Sequence, residues 1–243
     1  NVSVLLVYAI YMLAVALVLI VLYPKDMNSF VTSSPYYFDF AGYIGAMLKI
    51  LLASVIMFFV SILFFSGYGN MVTEALRQEK TSISSFLPGI KKYFVRVLLA
   101  SLLMVALAIG VSIVISMILI PLTLIAAFSG VIMGLMVSLI MVILTILAIP
   151  FIILWLPSIF MDDVGVIQSM KNGARVGTKN YGKLLVLLFV MYVPALIYVL
   201  VDYDTIMQGI IMTPGYCVIY ITTAVLSALL LPMLFVLYEN SKS

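Results

Sequence analysis

The chain has 243 residues, 66% of them hydrophobic and only 9% charged, with a net charge of +3. A soluble domain sits near half apolar and a quarter charged, so one core cannot hide this much hydrocarbon and lipid is the expected solvent for much of it. The absence of histidine and the single cysteine, Cys217, exclude the usual general base, most zinc sites, thiolate clusters and an internal disulfide.

The predicted elements are six membrane spans in an all-α bundle, forming one integral membrane domain over residues 1–243. Span one, 2–23, carries no charge and is long enough to cross about 30 Å of hydrocarbon at about 1.5 Å per residue. It lacks a basic leader and a small-residue cleavage site, so it reads as a span and not as a signal peptide. Pro24-Lys25-Asp26 stops it, and a loop rich in aromatics follows, of the kind found at headgroup level. Span two, 42–66, contains the only basic residue inside a span, Lys49. Lys49 either snorkels outward, pairs with Asp39, Asp202 or Asp204, or binds an anion, which makes it a candidate functional residue.

The helical pattern continues past Gly67 and Gly69 into the first charged zone. Met71, Val72, Ala75 and Leu76 fall on one face, and Thr73, Glu74, Arg77 and Gln78 on the other. This is the first of two expected cytoplasmic amphipathic surface helices, broken at Thr81-Ser82. Lys91 and Lys92 precede span three, 94–120, which Pro121 is expected to end. Arg96 in its first turn is placed to reach headgroups. Span four, 130–161, is long enough to tilt or kink, with Pro150 and Pro157 as the kink positions. Gly130, Gly134 and Ser138 form a small-residue stripe along it that lets another helix approach closely.

The second charged zone, Asp162 to Lys183, is read as a helix lying on the membrane surface. Asp162 and Asp163 suit its N-terminus, with Asp163 as cap. Val164, Ile167, Met170 and Ala174 form its apolar face; Gln168, Lys171, Asn172 and Arg175 form the polar one. Gly177 fits the position just past its end, and Thr178 or Asn180 the start of span five, 184–201. Span six, 216–238, follows a loop with Gln208, Gly209, Pro214 and Gly215.

Six spans place ten of the twelve Lys and Arg on the side of the two charged zones, so those zones and both termini are expected to face the cytoplasm of a multi-pass cell-membrane protein. Each such cation contributes on the order of 1 kcal/mol of attraction to an anionic leaflet, so Lys91, Lys92, Lys171, Arg175 and Lys179 read as a positive collar or as a docking surface for a cytoplasmic protein. Gly89-Ile90-Lys91-Lys92-Tyr93 and Gly177-Thr178-Lys179-Asn180-Tyr181 share Gly-x-Lys-x-Tyr at an offset of 88. Shifting spans two and three by that offset lands them on four and five, an internal repeat of span, surface segment and span.

No zinc-protease motif, Gly-rich phosphate loop or Asp-rich diphosphate motif is present. Asp162-Asp163 is the one carboxylate pair suited to Mg²⁺ beside a lipid phosphate, the plainer reading being a helix start. No catalytic residue, cofactor, resident metal or nucleic-acid partner is expected, and the expected partners are membrane lipids and, on the cytoplasmic side, a protein.

The run from Ile149-Pro150 to Leu156-Pro157, the acidic turn Asp162-Asp163, the helix with Ser169 and Ala174, and Lys179-Asn180 before a new span resemble the six-span domain found beside glycerophosphodiester phosphodiesterases. Related stand-alone bacterial and archaeal membrane proteins look similar. The resemblance covers spans two to six and implies a helical bundle with membrane anchoring or lipid-related work. It carries no catalytic residues to transfer. Two functions follow as expectations: a non-enzymatic membrane scaffold or lipid-handling domain, or a permease subunit whose surface helices dock a cytoplasmic ATPase.

Overall fold

The computed structural model describes residues 2–22, 40–129, 148, 153–190 and 214–241. Among these the chain is all-helical. In order they form α1 (Val2–Leu22), α2 (Phe40–Gln78), a 3-10 turn (Ile83–Ser85), α3 (Phe86–Ser129), α4 (Trp155–Asp162), α5 (Val166–Lys179), α6 (181–190) and α7 (Pro214–Asn240). α2 and α3 are each long and apolar enough to cross a membrane, and only 11% and 6% of their apolar windows are buried inside the protein. The core helix of a soluble protein shows the opposite pattern, since its apolar face is what the core covers. The expectations for 23–39, 130–147, 149–152 and 191–213, including Asp39, Asp202, Asp204, Pro150 and the Gly130 stripe, lie outside the described residues.

The described residues fall into two compact units, Asn1–Lys92 with Val190–Pro232, and Tyr93–Phe189 with Met233–Ser243. In the first, α1 packs on α2 through an aromatic column. Tyr11 stacks on Phe64 at 4.0 Å, Phe64 stacks on Tyr68 at 4.9 Å, and Tyr8 meets both Phe64 and Tyr68 edge-on. Tyr11 and Ser61 join their hydroxyls at 3.0 Å. The buried residues of α1, Val4, Val7 and Tyr8, repeat at helical spacing, while Leu5, Leu6, Ile10 and Leu13 on the other sides are exposed. Every face of α1 is apolar, so the sequence does not reveal which one packs; the aromatic rings on α2 decide it.

Several expected boundaries move. The first charged zone is not a separate surface helix: it is the last two turns of α2, which runs unbroken from the span through Gly67 and Gly69 to Gln78. A helical glycine costs only about 1 kcal/mol, and here close packing offsets it. Gly67 lies against the Phe86 ring, and a Cβ on Gly89 would stand 2.5 Å from the Asn70 Cβ. Pro121 does not end α3, which continues to Ser129; one missing N–H bond is tolerated in an apolar helix. Span four is not one helix through Met161. A bend at Ile153 and a turn at Leu154 precede α4, which begins afresh at Trp155. Pro157 has no N–H for the carbonyl of Ile153, so it belongs in a first turn and the break falls upstream of it.

Candidate functional site

The second unit is organised around the corner where α4 ends and α5 begins. α4 buries Ser158, Ile159, Phe160 and Met161. Phe160 sits between Tyr93 of α3 at 4.6 Å and Phe235 of α7 at 6.0 Å. Asp162 closes the helix, and Asp163 follows with φ of 53°, a left-handed residue that turns the chain out of α4. This corrects the capping expectation. The N-cap of α5 is Gly165, without a side-chain cap bond, and the two carboxylates mark the C-terminus of α4.

What holds two carboxylates at the unfavourable end of a helix dipole is a set of specific donors. The Asp162 carboxylate accepts from the Tyr238 hydroxyl, from Ser158 Oγ at 3.1 Å and from Asn172 Nδ2 at 3.0 Å. Tyr238, 1% exposed, lies on α7, with its hydroxyl 2.9 Å from that of Ser158. One carboxylate therefore ties α4, α5 and α7 together. Asp163 pairs with Arg96 of α3, Nη1 to Oδ1 at 2.5 Å, and Arg96 also lies 5.9 Å from the Tyr93 ring. Arg96 is thus held by the protein at its guanidinium, with its side chain 38% exposed.

α5 packs on its neighbours by a face of small residues, not by the apolar face read from the sequence as the membrane-facing one. Its buried residues are Ser169, Gly173 and Gly177, each four apart. Ile167 is 67% exposed, and Met170 and Ala174 are half-buried. Gly173 sits so close to the start of α4 that a Cβ would stand 2.7 Å from the backbone of Leu154 and Trp155. Gly177 lies inside the helix and not past its end. Small residues permit this approach where larger side chains hold backbones apart. Asn180 does begin α6: its carbonyl accepts from the Leu184 N–H at 3.0 Å. Its side chain donates to Ser241 Oγ at 2.8 Å, and Lys179 Nζ donates to the Ser241 carbonyl at 3.3 Å, so the end of α7 is fastened at the α5–α6 joint.

Lys171, Arg175 and Lys179 are exposed along α5, and Lys91 and Lys92 are exposed in the first turns of α3. Lys49 is exposed on α2 in the first unit. Among the described residues no three Cys, Asp or Glu side chains gather as a metal site. The chemistry of the corner is therefore that of a clasp: a carboxylate supplied with hydroxyl and amide donors, and a guanidinium–carboxylate pair. Tyr238, Ser158 and Arg96 are the partners sequence reasoning missed, because they lie 76, 4 and 67 residues from the acids they serve. The Ser169–Gly173–Gly177 stripe carried a legible small-residue signal, the same one read on span four.

Comparison with curated proteins and with solved structures gave no match. A family model does match, over residues 1–202, and on that extent the chain belongs to the family described as Domain of unknown function (DUF7847).

Proposed function

We propose that the chain is a six-span integral membrane domain, both termini cytoplasmic, serving as a non-enzymatic scaffold or lipid-handling domain through its two cytoplasmic zones. The observation that carries this reading is the exposure of α2 and α3: in two helices of membrane-crossing length and composition, only 11% and 6% of the apolar windows are buried inside the protein. Exposed hydrocarbon on that scale belongs in lipid. α1 and α7 supply two further spans, and the segments ahead of α4 and from 184 to 201 the other two. The repeat belongs to the same reading: Gly89 to Tyr93 lie in the first turns of α3 and Gly177 to Tyr181 cross the α5–α6 joint, each ahead of an apolar helical run. So does the resemblance to the membrane domain that accompanies glycerophosphodiester phosphodiesterases.

The runner-up is a permease subunit. It is favoured by α5, a short amphipathic helix with an exposed cationic row, which suits docking to a cytoplasmic ATPase. Purification of the full chain from native membranes separates the two. A lipid complement without a stoichiometric protein supports the scaffold or lipid-handling reading. A stoichiometric ATPase overturns it in favour of the permease.

A further inference from the structure

Residues 166–190 carry one outward face that changes character part-way along. At the α5–α6 joint Asn180 itself is not helical, at φ −113° and ψ 24°, but the bonds from its N–H to the Val176 carbonyl and from the Leu184 N–H to its carbonyl bridge the turn, so α6 follows α5 close to the same helical phase. At about 100° per residue, Lys171, Arg175, Lys179, Lys183, Val186 and Phe189 then share one arc of about 120°. All six are exposed, Val186 by 64% and Phe189 by 66%. The opposite arc is the packed one, with Ser169, Gly173, Gly177 and Leu184 buried. The outward face therefore presents four cations over roughly 18 Å and then, within one to two turns, uncovered hydrocarbon. No described carboxylate pairs with any of the four; Lys179 alone is engaged, by the Ser241 carbonyl.

We propose that this face docks the phosphate-bearing headgroups of anionic phospholipids, with the headgroup–hydrocarbon boundary falling between Lys183 and Val186. This rests on the membrane reading above and deepens it by naming the lipid class and the residues. The partner has to be anionic along the first part of the face and apolar along the second. A leaflet of anionic lipid has that order built in, whereas an acidic protein surface complements only the cations.

The test reconstitutes the full chain in nanodiscs of mixed phosphatidylcholine and phosphatidylglycerol, then counts by mass spectrometry the lipids it retains on release. Phosphatidylglycerol is expected to be enriched over the starting mixture by about five-fold. The triple variant Lys171→Gln/Arg175→Gln/Lys183→Gln is expected to return it to parity with an unchanged melting temperature, since these side chains are exposed. The charge-preserving triple Lys171→Arg/Arg175→Lys/Lys183→Arg is expected to keep the enrichment. A nitroxide on Val186→Cys, in a Cys217→Ser background, is expected to be relaxed by oxygen, and one on Arg175→Cys by a water-soluble nickel chelate. Undiminished enrichment in the glutamine variant overturns the proposal, as does wild-type protein that retains both lipids equally while capturing an acidic peptide. A chain that stays in solution without lipid or detergent refutes the membrane reading itself, a separate observation.

Discussion

Two corners of this protein solve the same problem by different means. At each, a helix ends on an acidic residue in the left-handed region, Glu79 after α2 with φ of 60° and Asp163 after α4 with φ of 53°. The first corner is fastened locally. Glu74 accepts from Thr81 at 2.7 Å, and Asn70 donates to the Ser85 carbonyl at 3.0 Å. The second is fastened mainly from far along the chain, by Tyr238 of α7 and Arg96 of α3. A local corner forms with its own segment; a corner held by remote donors forms only when the bundle does. The second corner is therefore expected to report on assembly of its unit, and the first to be nearly indifferent to it.

The largest contrast comes from removing the acids. Asp162→Ala removes the acceptor shared by Tyr238, Ser158 and Asn172, leaving the two hydroxyls only each other, and is expected to cost about 2–3 kcal/mol. Glu74→Ala, at a solvent-screened site, is expected to cost under about 1 kcal/mol. Thermal unfolding in detergent reads both, and equal losses would erase the distinction between the corners. Next are the glycines of the second unit. Gly173→Ala forces a Cβ into the Leu154–Trp155 backbone and is expected to cost about 1–3 kcal/mol, whereas Gly182→Ala, with nothing within 4 Å, is expected to be neutral or to gain up to about 1 kcal/mol.

Smaller effects separate the two left-handed residues. Glu79→Gly relieves a side chain from an unfavourable backbone conformation and is expected to stabilise by about 1 kcal/mol. Asp163→Gly gains the same relief but loses the Arg96 pair, whose side chains are 38% and 50% exposed, so it is expected to show no net gain. The smallest effect is in pH. Hydrogen bonds from Ser85 and then Thr81 hold the Glu74 carboxylate below its ordinary value of 4.5. A depressed carboxylate stabilises the fold above that ordinary value, and the contribution fades as pH falls through the lowered one. The hydrogen-exchange protection of Thr81 to Ser85, relative to the intrinsic rate at each pH, is expected to fall below about pH 4.5 in wild type but not in Glu74→Gln.

The all-helical class was legible because hydropathy and residue rise are local properties of the chain. α1, Val2–Leu22, falls within the apolar run read from the sequence. Helix ends were harder. The helical pattern was read past Gly67 and Gly69, as α2 bears out, but Pro121 was expected to end α3, which runs through it because an apolar surround tolerates the missing bond. The paired acids were singled out, but their role was misread: the turn Asp162-Asp163 resembles a helix start until Arg96 and Tyr238 are brought to it. Those contacts join residues 67 and 76 apart, and no periodicity encodes them. The packed face of α5 went unread for another reason. Hydrophobic periodicity looks for large residues, whereas the closest approach is made by Ser169, Gly173 and Gly177.

The most direct measurement labels single cysteines at Lys91 and at Lys179, in a Cys217→Ser background, with a membrane-impermeant maleimide in sealed, oriented vesicles. The account expects both positions to react from the cytoplasmic face alone. Reaction of the two from opposite faces of the bilayer would contradict it.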